Sequence, residues 1–136
     1  MIHSVAVKRG LVQLGIERSK RLIRDAIRLL PDGEVEWQKV QATVYGPRMT
    51  DARPAEGAQM FLWACASNEV EVRIISHKTQ FANYDETGTD LRQTAISWIR
   101  QHKFFNHADA GLSEKDVFFA SRANNRIFPF LGRINQ

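Results

Sequence analysis

The sequence predicts an α/β fold, a parallel sheet flanked by helices, on three observations. Amphipathic helical stretches fill the first third of the chain. A β-branched run, Val70-Glu71-Val72-Arg73-Ile74-Ile75, then leads directly into a polar segment over residues 76–89. Finally, a helical stretch over residues 91–103 separates that run from a second apolar run, Val117-Phe118-Phe119-Ala120. Two strands with a helix between them pair in parallel through a right-handed crossover. In doubly wound sheets of this kind a ligand meets the residues just past the carboxyl ends of the strands.

Residues 1–9 are apolar and helix-compatible with no capping residue ahead of them, which reads as a chain entered partway along its fold. Over residues 16–30, Ile16, Ile23, Ile27 and Leu30 share one face, with Leu22, Ala26 and Leu29 beside it and charged residues opposite. Pro31-Asp32-Gly33 stops that helix. A second, over residues 34–45, buries Val35, Val40 and Val44 and ends at Gly46-Pro47.

Pro54, Ala55 and Glu56 open a further helix that runs to residue 67, with Ala58, Phe61, Leu62 and Cys65 as its apolar stripe and Asn68 at its end. The run 70–75 grows more apolar toward its carboxyl end, as a strand buried on both faces would. In the helix over 91–103, Leu91, Ala95, Trp98 and Ile99 face one way, and Ser113-Glu114-Lys115-Asp116 precedes the second strand. Residues 1–50 thus read as a helical cap-like region and 51–136 as a partial α/β core. A sheet of two strands leaves Val72, Ile74 and Phe118 without neighbouring strands, which predicts marginal stability and compensation by homo-oligomerisation.

Composition narrows the class of protein. With 136 residues, 43% apolar and 25% charged, the chain supports one modest core. A net charge of +4 favours anionic partners. The single cysteine, Cys65, permits no internal disulfide and supplies no Cys-x-x-Cys pair for zinc, so the expected compartment is cytoplasmic. The apolar start is too short for a signal peptide, and no stretch approaches the ~20 apolar residues of a membrane span. His102, His107 and Asp109 match no metal-ligand spacing, and no metal site is assigned. Trp63 and Trp98 are expected to make packing contacts, and Cys65 to be inert.

The first place to look for chemistry is Ser76-His77-Lys78-Thr79, where a hydroxyl and backbone amides can donate to phosphate oxygens and a lysine adds a compact positive charge. Ser76 and His77 do not form a nucleophile and base, because consecutive residues at a strand end point apart. Asp85-Glu86-Thr87-Gly88-Thr89 has the pattern of a phosphoryl-accepting aspartate, but Phe81-Ala82-Asn83-Tyr84 ahead of it is too short and polar for a buried strand. The segment is expected to be a loop leading to a helix cap at Thr89 or Asp90. Arg18, Lys20, Arg21, Arg24 and Arg28 make a basic helix face whose simplest reading is a solvated surface, with a small nucleic-acid-binding module as a minor alternative.

Val72-Arg73-Ile74-Ile75-Ser76-His77-Lys78-Thr79, Leu91-Arg92 with Trp98, His102-Lys103-Phe104-Phe105, Gly111-Leu112, Val117-Phe118-Phe119 and Arg126-Ile127, with Tyr45-Gly46-Pro47-Arg48-Met49 upstream, stand in an order that resembles a bacterial and phage branch of the haloacid dehalogenase-like (HAD) hydrolases. The resemblance spans residues 5–127. It implies a partial Rossmann-type sheet with a helical cap, and Mg²⁺-dependent hydrolysis of a phosphate monoester on a phosphorylated small molecule. Ser76 would hold a phosphate oxygen, with His77 and Lys78 in the same loop, and Arg126 stands where the family has a cation that neutralises the phosphoryl group. Asn124 and Asn125 replace the acids expected beside it, and Phe128-Pro129-Phe130-Leu131-Gly132-Arg133 departs from the family pattern. The aspartates of a D-x-D-x-T motif and the Mg²⁺-binding acids have no match, so no catalytic residue and no metal ligand is assigned. The expectation is a HAD-like segment, inactive as a lone chain. The alternative is a noncatalytic phosphate-binding or regulatory remnant of that fold.

Overall fold

A computed structural model describes residues 1–105 and 111–120. In chain order the elements are α1 (Ile2–Lys8), α2 (Lys20–Arg28), α3 (Gly33–Tyr45), α4 (Ala58–Ser67), β1 (Ile74–Ser76), α5 (Leu91–Gln101) and β2 (Val117–Phe119), with 3₁₀ turns at Met49–Asp51 and Glu114–Asp116. The protein is therefore mixed helix and strand. Its two strands form a parallel pair, with Ile74 opposite Val117, Ile75 opposite Phe118 and Ser76 opposite Phe119. The chain divides into two compact units: Met1–Arg53 with Gln80–Trp98, and Pro54–Thr79 with the described residues from Ile99 on.

In the first unit α1, α2 and α3 pack on one another around Val5, Ala6, Ile23, Ile27, Trp37, Val40 and Val44. The i, i+4 pair Ile23 and Ile27 turns inward as the periodicity requires, but α2 begins at Lys20 and not at residue 16. Its start is fixed by Ser19, whose extended backbone places Oγ to accept the Leu22 amide at 3.4 Å. Ile16 reaches the core from the preceding loop. Leu30 and Leu29 lie beyond the helix and face outward, Leu29 being 87% exposed. In α3 the largest buried side chain is Trp37, 3% exposed, while Val35 is only half-buried. No polar or charged residue is buried among the described residues, so this core is held by apolar contact alone.

In the second unit α4 is shorter than the sequence implies. Gly57, at φ 77°, occupies the N-cap position in the left-handed region that favours glycine, so residues 54–56 stay outside the helix. Phe61 is 62% exposed and does not join Ala58, Leu62 and Cys65 on the half-buried side. β1 is also shorter than residues 70–75. The run from Val70 to Arg73 is not strand, and Ile75 is 47% exposed, so burial on both faces does not hold. A pair of three-residue strands has one neighbour per strand and cannot enclose both faces.

Three helices end in the same way. After α1 the Leu11 amide bonds to the Ala6 carbonyl and the Gly10 amide to Val7; after α4 Val70 bonds to Cys65 and Glu69 to Ala66; after α5 Phe104 bonds to Ile99 and Lys103 to Arg100. Each pair is a Schellman motif, which satisfies the last carbonyls and turns the chain through one left-handed residue. Glycine fills that position only in the first case, whereas Glu69 and Lys103 take it at φ 56° and 59°. Phe104 and Ile99, which the motif brings together, are both buried.

Two outcomes follow for stability in urea. Ile27→Ala, at a site with 0% exposure, is expected to cost about 2–5 kcal/mol, while Leu29→Ala stays within about 0.5 kcal/mol of the parent. Lys103→Gly is expected to stabilise by up to about 1 kcal/mol, because glycine, having no Cβ, adopts this left-handed conformation without the strain that the lysine bears. A Lys103→Gly variant less stable than the parent would show that the lysine side chain outweighs that strain.

Candidate functional site

The parallel register fixes where Ser76 stands. It is the last residue of β1, opposite Phe119, and its carbonyl accepts the Ala120 amide at 2.9 Å. Ser76 is half-buried, His77 exposed, Lys78 half-buried and Thr79 exposed. The chain folds back at once, so that Ser76 Oγ accepts the Lys78 amide at 3.2 Å. This turn has two chemical consequences. One lone pair of the hydroxyl is engaged, leaving the hydroxyl hydrogen to donate to an oxyanion. The Lys78 amide, which a phosphate-cradling loop would aim at its ligand, is spent on the serine.

Ser76, His77 and Lys78 are thus brought together at one end of the sheet by chain continuity and by the parallel pairing. Arg126 lies outside the described residues, as do His107 and Asp109. The contribution that sequence reading misses here is the Ala120 amide: a backbone donor has no residue signature, and only the strand register reveals it.

Acidic groups near the strands are held in other roles. Asp116 sits at the amino end of β2, away from the Ser76 end, where it accepts the Ser113 hydroxyl and the Ser113 amide. These bonds, the hydroxyl's first, hold its carboxyl below the usual range. Glu71 pairs with Arg73, and Glu114 with Arg100. Among the described residues no three His, Cys, Asp or Glu side chains converge as a metal requires. Asp116, Glu71 and Glu114 are thus each engaged with their own neighbours, and none is assigned as a ligand of the Mg²⁺ that the HAD resemblance implies.

Asp85 lies in a loop of the first unit. Its Oδ1 accepts the Thr87 hydroxyl at 2.7 Å and the Thr87 amide at 3.0 Å, and Oδ2 accepts the Thr89 amide at 2.8 Å. The carboxylate therefore organises its own loop. Helix α5 is capped by the next acid, Asp90, whose Oδ1 accepts the Arg92 and Gln93 amides at 2.9 Å each, while Gln80 donates to its other oxygen at 2.8 Å. Trp98, farther along α5, donates Nε1–H to the Ala52 carbonyl at 2.9 Å, a packing contact as expected. Trp63, in contrast, is half-exposed.

The hydrogen bonds to Asp85, that from the Thr87 hydroxyl foremost, hold its carboxyl below the usual range. A carboxyl whose pKa is depressed by folding contributes stability that is present above its unfolded pKa and lost as pH falls through its folded one. Protection of the Thr87 and Thr89 amides is therefore expected to persist through mildly acid pH and to disappear only below the ordinary aspartate range. Amide exchange followed against pH checks this, and loss of protection at or above that range would refute it.

Comparison with protein-family models, curated proteins and solved structures finds no match to this chain.

Proposed function

We propose that this chain is a HAD-like α/β segment whose strand-end loop holds the phosphate group of a phosphorylated small molecule without itself supplying a nucleophile. The observation that carries the reading is the position of Ser76, at the carboxyl end of a parallel strand, with its hydroxyl hydrogen left to donate and Lys78 folded back beside it. Ligands of doubly wound sheets collect at that end. His77 and Lys78 would add positive charge and a donor, and Arg126 would add a second cation by the resemblance. The role is to position and neutralise a phosphate. Attack on phosphorus needs an aspartate that no assigned residue provides.

No helix among the described residues is long and apolar enough to cross a membrane. A cytoplasmic setting is part of the same proposal, in keeping with the single Cys65.

Titration of the ¹⁵N-labelled chain with phenyl phosphate is expected to shift the amides of residues 76–79 in a saturable way. Ser76→Ala should weaken that binding by about fivefold to tenfold, the worth of one hydrogen bond to a charged group. Absence of shifts at residues 76–79 would overturn phosphate holding. Turnover of phenyl phosphate in the presence of Mg²⁺ that disappears in Ser76→Ala would instead establish a hydrolase and overturn the noncatalytic part of the proposal.

A further inference from the structure

In the first unit, separately from Ser76, a half-open cavity of about 470 Å³ lies among α1, the start of α2 and the end of α3. Its apolar wall includes Ile2, Ile23 and Val44, and its polar wall includes Arg18, Lys20 and Tyr45. The volume is that of a small-molecule site, for which cavities of about 300–1,000 Å³ are usual.

The charges on the wall of this cavity are of one sign. Arg9, Arg24, Arg28, Lys39 and Arg48 each pair with a carboxylate. Among the described residues Arg18 and Lys20 form no ion pair with a carboxylate, and the cavity lining contains no Asp or Glu. The first turn of α2 carries no acid either, so the helix does not offset them. Lys20 is held in place by Tyr45: its Nζ donates to the phenolic oxygen at 3.1 Å and lies 5.6 Å from the ring centroid. His3, also on the wall, donates Nε2–H to the Leu14 carbonyl at 3.1 Å, which ties α1 to the loop that carries Arg18. The polar wall is thus braced from two sides, and an apolar face adjoins it.

We infer that this cavity is a binding site for a small organic oxyanion, a phosphate or carboxylate head on an apolar body. The head sits between the Arg18 guanidinium and the Lys20 ammonium, and the body lies on Ile2, Ile23 and Val44. Arg18 supplies a planar fork suited to two oxygens and Lys20 a point charge.

The test uses the full ¹⁵N-labelled chain with phenyl phosphate, benzoate, inorganic phosphate and benzyl alcohol as probes. Phenyl phosphate or benzoate is expected to shift the amides of Ile2, Arg18 and Val44 saturably, and the tighter of the two names the head group. Inorganic phosphate should bind more weakly, because it lacks the body, and benzyl alcohol should not bind. Arg18→Gln and Lys20→Ala, both at exposed positions compatible with folding, should each weaken binding by about tenfold. Arg21→Ala, one residue along α2 and outside the cavity lining, should leave it unchanged. The inference is overturned if no saturable shift occurs at Ile2, Arg18 and Val44, if inorganic phosphate binds as tightly as both organic probes, or if Arg21→Ala weakens binding as much as Arg18→Gln. Shifts confined to residues 76–79 would overturn it while supporting the strand-end loop; shifts confined to this cavity would do the reverse.

Discussion

The parallel pairing of β1 with β2 is the constraint on which the candidate site depends. Antiparallel strands can be joined by a tight turn, whereas parallel ones require a long crossover. Here the connection leaves the second unit after Thr79, contributes Gln80–Trp98 to the first, and returns with Ile99. The pairing rests on few backbone bonds, since each strand has three residues. It nonetheless sets that Ser76 stands at the carboxyl end of the pair, and it supplies the Ala120 amide that anchors the Ser76 carbonyl.

The devices that bound α5, the helix of the crossover, matter for the same reason. Asp90 fixes where α5 begins, and the turn through Lys103 fixes where it ends. Phe104 then enters the interior beside Ile99. At the far side the Ser113 and Asp116 capping box sets the chain just before Val117. Surface ion pairs such as Arg100 with Glu114 accompany these turns, but exposed pairs contribute little. Local turn chemistry, more than ion pairing, aligns the strands.

Much of this was legible in the sequence, and the exceptions have physical causes. Periodicity located Ile23 and Ile27 because a helix face repeats in the chain itself, and the loop over residues 85–89 followed by a cap at Thr89 or Asp90 came from residue chemistry, the structure selecting Asp90. The burial of Trp37 carries no sequence signature, because α3 has apolar and polar residues on several faces and its inward side is decided by neighbours and not by pattern. The exposure of Phe61 and Ile75 likewise depends on how many layers cover an element, which one strand or helix cannot specify. The end of α4 at Asn68 was legible, whereas the left-handed turn residues that follow α4 and α5, Glu69 and Lys103, carry no glycine signature. At the site, Ser76, His77 and Lys78 were contiguous and so could be found together. Lys20 and Tyr45 meet only through the packing of α2 on α3, and no spacing rule joins them.

The interleaved order of the two units also bears on how the chain forms during synthesis. The helices that make the first core are all encoded before residue 46, so they can collapse early through contacts close in sequence. β1 has no such option. Its partner emerges last among the described elements, and until then Ile74 and Ile75 present an unfilled strand edge to the surrounding medium. A nascent chain that pauses between residues 76 and 117 would therefore carry a folded helical cluster together with an adhesive segment, the condition under which chaperone capture competes with self-association.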